Sequence, residues 1–463
     1  MNIAEAKEQI KRSVKIYLTK NEDGTYRIPV QKQRPVFLYG APGIGKTAIM
    51  EQISQELDIS LVTYSMTHHT RQSALGLPFI IQKEYGGEKY DISKYTMSEI
   101  ISSIYDKIEE TGNKEGILFL DEINCVSETL GPAMLQFLQY KIFGNHKVPE
   151  GWVVVTAGNP PQFNRSVHEF DVVTMDRLKI MEIEPDYKAW RKYAVQREIH
   201  RSILTYLDIR KQDFYEIETT VDGKSYVTAR GWEDLSEAIY LYEENGFPVD
   251  ESLVSQYIHN RQILNEFSVY YSLYTKYRED YKIQDILAGE ETQDIRIRAN
   301  LAAFDERITL LGLLTEAMLT DIGTNIKTED KLRKKVVSLR QRKAEIESMP
   351  KDEARAERKV FEETTESFYN DVAKLKIDTG RIKKKLSNLF NFVDKCFGDG
   401  NEMLILITEL TMNRNSVRFI AEKGCDEYYK FDKKYQLYER NKELLQEIDR
   451  IEKDTIDASL RIG

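Results

Sequence analysis

Apolar positions change their spacing repeatedly along the first 290 residues, and the changes mark out alternating elements. Ile3, Ala6, Ile10, Val14 and Leu18 recur at helical intervals, which predicts a helix over residues 1–20 that Gly24 and Pro29 then end. Short, largely apolar runs at Val36–Tyr39, Ile59–Tyr64, Gly116–Leu120, Trp152–Ala157 and Lys179–Ile183 read as strands of a parallel sheet. Between them the helical period returns at Ala48–Ile53, at Ser98–Glu110 with Ile100, Ile101, Ile104 and Ile108 on one side, and at Leu130–Tyr140. Residues 79–92 turn at Gly86-Gly87 and residues 140–148 at Gly144-Asn145, two hairpin signatures.

From Tyr187 to Gly289 the pattern is mostly helical. Glu216–Val227 interrupts it, with Asp222-Gly223 as a turn, and Thr228 then caps a helix that Arg230 opens. An arginine in a first turn works against the helix dipole, a small cost that invites a functional explanation. Beyond residue 290, Glu329–Glu347 and Ala354–Leu386 are long charged helical stretches with a turn at Met349-Pro350. Phe361, Thr364, Phe368, Val372 and Leu375 follow threes and fours, the seam of an antiparallel helical hairpin. Met403–Leu410 and Cys425–Ile456 return to amphipathic helix. The chain thus divides into an α/β core (1–186), a helical lid (187–290) and a helical, coiled-coil-like C-terminal region of unknown role (291–463).

Composition adds limits. A chain of 463 residues has room for roughly three domains. The net charge of −10 argues against coating nucleic acid through the overall field. Lys331–Lys343 does hold seven Lys or Arg and no acid. The acidic stretch Glu345–Glu366 favours a solvated coiled-coil face there, with contact to a polynucleotide as the alternative. Cys125, Cys396 and Cys425 follow no metal-ligand spacing and read as free thiols of a reducing compartment. His68 and His69 are sequence neighbours whose side chains point apart, so they make no paired ligands. A charged amphipathic start and the lack of any run of 18 apolar residues predict a cytoplasmic chain without a membrane span.

The chemistry concentrates after the first strand, in Gly40-Ala41-Pro42-Gly43-Ile44-Gly45-Lys46-Thr47. Strand, glycine-rich turn and helix together make this a phosphate loop. Its glycines let backbone N–H groups converge on phosphate oxygens, and the helix N-terminus adds partial positive charge. Lys46 reaches the β- and γ-phosphates of a nucleoside triphosphate, and the Thr47 hydroxyl can ligate Mg²⁺. Asp121 and Glu122 end a second buried strand, where open α/β sheets place ligands. Asp121 suits the Mg²⁺ shell with Thr47, and Glu122 suits the attacking water. Asn159, at the end of the strand Trp152–Ala157, is placed to orient that water, or else forms an Asn-Pro turn. Arg177 taken alone reads as an ion-pair residue.

The motifs Gly-Ala-Pro-Gly-Ile-Gly-Lys-Thr, Leu-Asp-Glu-Ile-Asn, Thr-Ala-Gly-Asn-Pro, Met-Asp-Arg-Leu and Thr-Ala-Arg-Gly-Trp, in this order over residues 1–290, resemble an AAA+ ATPase, and more narrowly the MoxR group. The two hairpins fit that group's insertions. The resemblance implies an α/β P-loop NTPase core, a parallel sheet with helices on both faces and two hairpin insertions, followed by an all-α lid. It makes Asn159 the sensor-1 residue, Arg177 an arginine finger acting on a neighbour's ATP, and Arg230 the sensor-2 arginine. It also implies a hexameric ring that hydrolyses ATP to remodel or activate a protein client, with a von Willebrand factor A domain protein as a partner. Cys125 stands where the group has arginine, and residues after 290 match none of its motifs. Two rivals stay open: a nucleic-acid-directed motor or restriction-type NTPase, and a nucleotide-gated scaffold acting through the helical tail.

Overall fold

The computed structural model describes residues 1–434 except 69–70, 128, 164–166, 221–222, 349–350 and 399. His69, the Asp222 half of a turn, the Met349-Pro350 turn and the helix expected beyond residue 434 lie outside the described residues. Two compact units are present, one made of residues 1–191, 213–235 and 257–260 and the other of the remainder.

In the first unit the expected alternation is realised. The order is α1 (Ile3–Tyr17), β1 (Val36–Gly40), α2 (Ala48–Leu57), β2 (Ser60–Ser65), α3 (Arg71–Leu75), β3 (Pro78–Tyr85), β4 (Glu88–Tyr95), α4 (Glu99–Thr111) and β5 (Gly116–Asp121). Then follow α5 (Gly131–Tyr140), β6 (Ile142–Phe143), β7 (His146–Lys147), β8 (Trp152–Gly158), α6 (Val172–Met175) and β9 (Lys179–Ile183). Local chemistry sets the helix starts. Asn2 and Glu5 form a capping box on α1, and the Ser98 hydroxyl accepts the Ile101 N–H to open α4.

The sheet is five-stranded and parallel, in the order β2-β5-β8-β1-β9. Alternate residues of its strands face opposite layers. Leu118, Leu120 and Val154 pack with Ile100, Ile101 and Ile104 of α4 and Phe137 of α5. Ile117, Phe119, Val153 and Val155 pack with Ile10 and Val14 of α1 and Ile49 and Ile53 of α2. Helices therefore cover both faces, and each fully buried aliphatic contributes roughly 1.5–3 kcal/mol. The pairs β3–β4 and β6–β7 are the two expected hairpins.

Further elements are α7 (Tyr187–Gln196), α8 (Arg201–Ile209), β10 (Glu216–Thr220), β11 (Gly223–Val227), α9 (Ala229–Asn245), α10 (Glu251–Val254), α11 (Arg261–Asp280), α12 (Ile283–Ala288) and α13 (Gln293–Leu301). The stretch read as a lid is thus helical apart from an antiparallel β10–β11 hairpin. The chain continues into α14 (Phe304–Ser348), α15 (Lys351–Phe397), α16 (Asn401–Met412) and α17 (Arg414–Lys423).

The second unit is built on α14 and α15. They are antiparallel: Asp321 pairs with Lys385, Lys335 with Asp371 and Arg342 with Glu357, so numbers rise on one helix as they fall on the other. Its core lies away from Ser348 and Lys351, where Leu314, Met318 and Ile322 of α14 meet Leu386, Phe390 and Val393 of α15, with Leu406 of α16 and Phe419 of α17. The seam expected at Phe361–Leu375 is only half-buried, and Val372 is exposed. In that part of the pair, ion pairs rather than a packed core join the helices. Among the described residues no helix is long and apolar enough to cross a membrane.

One buried pair in this unit makes a sharp test. Arg201 Nη1 lies 2.6 Å from Glu409 Oε2, with side-chain exposures of 8 % and 2 %. Removing one partner takes this ion pair from a buried charge, so Arg201→Met should cost about 3–5 kcal/mol in chemical denaturation. Arg201→Met combined with Glu409→Leu should recover most of that loss. A single variant as stable as the parent would contradict this reading.

Candidate functional site

The sheet order determines which side chains can meet. β8 pairs with β5 on one side and β1 on the other, with Tyr39 level with Gly158 and Leu120 level with Thr156. The loop after β1, Asp121 at the end of β5 and Asn159 just past β8 therefore share one end of the sheet. Ser65, at the end of β2, pairs in register with Asp121.

The loop from Gly40 to Thr47 connects β1 to α2, and Gly43 and Gly45 both hold left-handed φ values (+72° and +91°) that a side chain would resist. Lys46 is 8 % exposed. Its ammonium donates to Gly40 O at 2.7 Å, Ala41 O at 2.8 Å and Asn159 Oδ1 at 2.8 Å, which uses all three of its protons on neutral oxygens. Burial pushes its pKa down to about 8; Asp121 and Glu122 oppose that shift, and Arg230 adds to it. A buried cation held by neutral oxygens is a costly arrangement that an anion would relieve. The donor set fits phosphate.

Thr47 Oγ1 donates to Asp121 Oδ2 at 2.8 Å, while Asp121 Oδ1 accepts the Glu122 N–H at 2.9 Å. A hydroxyl beside a carboxylate is a hard-oxygen pair that fits Mg²⁺. Glu122 holds φ +55°, ψ +37°, a left-handed conformation that costs a non-glycine residue on the order of 1 kcal/mol. Its Oε2 accepts from Ser65 Oγ at 3.1 Å and Thr67 Oγ1 at 3.2 Å. The strained backbone and two hydroxyls give this carboxylate a defined direction.

Asn159 is held by Asn124, which is 3 % exposed. Asn124 Nδ2 donates to Asn159 O at 2.8 Å, and Asn124 Oδ1 accepts the Asn159 N–H at 3.3 Å. Ser65, Thr67 and Asn124 were all missed as site residues by the sequence reading. Asn124 lies inside the Leu-Asp-Glu-Ile-Asn motif, whereas Ser65 ends a strand and Thr67 follows it without any motif to single them out.

The two arginines behave differently. Arg230 stands in the first turn of α9, where Thr228 Oγ1 accepts the Gly231 N–H at 3.2 Å, and its charge acts on Lys46. Arg177 follows α6, and its charge acts on Asp171, which caps that helix. Arg177 precedes β9, whose Lys179 is level with Val36 at the start of β1, so it stands at the end of the sheet opposite the loop. The structure therefore brings Lys46, Thr47, Asp121, Glu122 and Asn159 together, with Arg230 within electrostatic reach and Arg177 apart.

Residues 35–178 match the family model of the AAA domain, dynein-related subfamily. No curated protein matches the chain. The match spans β1 through the turn that carries Arg177 and ends before Arg230. With the parallel sheet and the long helical extension, it makes the fold an α/β P-loop NTPase, and it supports nucleotide binding and ATP-driven activity in general.

The depressed Lys46 pKa has a pH signature. Unfolded chain holds this proton up to 10.5 and folded chain only to about 8, so stability rises with pH between those values. Below that window the buried charge carries its full cost. Lys46→Met, without nucleotide, should be stabilised relative to the parent at pH 7, and the difference should shrink between pH 8 and 10.5. Urea melts of both proteins across this range measure it; a difference independent of pH would contradict the shift.

Proposed function

We propose that this chain is a MoxR-type AAA+ ATPase that binds ATP with Mg²⁺, hydrolyses it, and uses the cycle to remodel or activate a protein client. The observation that carries the reading is the meeting of a buried, anion-seeking Lys46, the Thr47–Asp121 pair and an oriented Glu122 at one sheet end. Residues 1–186 would be the ATPase core, 187–290 the lid and 291–463 the specialised region. A cytoplasmic setting accords with Cys125, Cys396 and Cys425 not being joined by disulfides among the described residues.

In this reading Lys46 exchanges its neutral acceptors, the Gly40 and Ala41 carbonyls and Asn159 Oδ1, for β- and γ-phosphate oxygens. Thr47 and Asp121 would hold Mg²⁺, which when bound neutralises charge on the same oxygens. Glu122 orients a water and takes its proton as that water attacks the γ-phosphorus, and ADP leaves with the bridging oxygen. Ser65 and Thr67 steady the Glu122 carboxylate before attack. Asn159, anchored by Asn124, changes partner when Lys46 leaves it, and so reports the γ-phosphate. Arg230 answers for the lid.

Arg177 has no part in the Lys46 cluster of its own chain, which supports its use on a neighbour's ATP in a homo-oligomeric ring, here proposed as a hexamer. A von Willebrand factor A domain protein is the proposed partner, on resemblance to the group. Nucleic acid is not the proposed client: within the basic stretch, Lys335 and Arg342 pair with Asp371 and Glu357 of the facing helix.

Glu122→Gln should keep ATP binding and lose at least about 100-fold in turnover, the scale of a general base. Turnover equal to the parent would remove Glu122 from this role. Arg177→Ala and Lys46→Ala should each be inactive alone, and mixed subunits should regain part of the phosphate release. No recovery on mixing would contradict a finger acting between subunits.

A further inference from the structure

The phosphate loop is gripped from one side by residues far along the chain. The Tyr215 hydroxyl donates to Pro42 O at 2.7 Å. The ring is half-buried against the α1–α2 side of the sheet core, and burial pushes its phenol well above the ordinary value, so it remains a donor. The next loop residue is held too. A Cβ placed on Gly43 would stand 2.9 Å from Thr228 Cβ, so Thr228 packs directly on the Gly43 backbone.

Tyr215 and Thr228 are not independent. They flank Glu216 and Val227, the pair that closes the base of the β10–β11 hairpin. The fully buried Trp232 ties the rung to α9: its indole N–H donates to Asp213 O at 3.3 Å and Phe214 O at 3.2 Å. Asn260 Nδ2 donates to Glu216 Oε2 at 2.7 Å, and the His259 N–H to Tyr226 O at 3.0 Å. Hairpin base, first turns of α9 and residues 259–260 therefore form one braced block that touches the loop at two successive residues.

Peptide geometry turns that grip into aim. No cis bonds occur among the described residues, and in a planar trans peptide the C=O and the following N–H point in opposite directions. The carbonyls of Gly40 and Ala41 face the Lys46 ammonium, whereas that of Pro42 faces Tyr215. The carbonyl direction thus switches at Pro42, and the Gly43 N–H is turned away from Tyr215.

We infer that Tyr215 is a positioning residue for the phosphate loop: by holding the Pro42 carbonyl it presents the Gly43 N–H to the phosphates of a nucleoside triphosphate. The hairpin rung shared with Thr228 makes that hold rigid. Tyr215 does not touch the reacting atoms; it sets how well the loop grips the polyphosphate. This rests on the ATP-binding reading above.

The test uses the full chain, its Tyr215→Phe variant and Phe214→Leu as a packing control. Tyr215→Phe keeps the ring and deletes one hydrogen bond, so KM for ATP and the Kd of a non-hydrolysable ATP analogue should rise about fivefold, with a smaller change in kcat. Phe214→Leu should lower the melting temperature without a matching KM shift. An unchanged KM and Kd in Tyr215→Phe, or equal KM shifts in both variants, would overturn the positioning role while leaving the ATPase reading intact. A parent protein that binds no ATP would overturn both.

Discussion

Taking the Lys46 ammonium out of water is the constraint around which the first unit is arranged. An ammonium so enclosed needs three acceptors, and it finds them in Gly40 O, Ala41 O and Asn159 Oδ1. Two of those come from its own loop and are cheap to bring. The third exists because β8 lies beside β1 in the sheet, with Asn159 just past its end. Asn124 then holds the Asn159 backbone with a donor and an acceptor, and the same turn begins at the strained Glu122. Strand order, the buried amide and the acidic pair are therefore consequences of one another. The cluster leaves a buried cation on neutral oxygens, whose charge an anion would compensate.

Local chemistry was legible in the sequence because it repeats within a few residues. The glycine loop, the two carboxylates of Asp121-Glu122 and the apolar strands announce themselves by adjacency, and the cap at Thr228 needs a window of four. Pairings between distant residues were not legible. Lys46 and Asn159 are 113 positions apart and Tyr215 and Pro42 are 173 apart, and no local period encodes either distance. Ser65 and Thr67 lacked even a motif, since a hydroxyl at a strand end is ordinary until the register sets it beside Glu122.

The long helices show a different limit. Threes-and-fours spacing at Phe361–Leu375 predicts a seam, yet Val372 is exposed and the others only half-buried; the ion pairs across to α14 show that the two helices run antiparallel. Periodicity says which face turns inward; it does not say what covers it. The packed core forms instead where α12, α16 and α17 join the pair around Phe390 and Leu314. The acidic stretch after the basic one was legible in the sequence, but which residues meet was not: Lys335 faces Asp371 and Arg342 faces Glu357 only because the two helices run antiparallel.

The central claim is that the sheet assembles an ATP-hydrolysing site around Lys46. Steady-state phosphate release from ATP and Mg²⁺ by the full chain, compared with Lys46→Ala at the same concentration, tests it most directly. The account predicts turnover by the parent and only the uncatalysed background from Lys46→Ala. Equal release by the two proteins, or none by either across a range of protein concentrations that allows assembly, would contradict it.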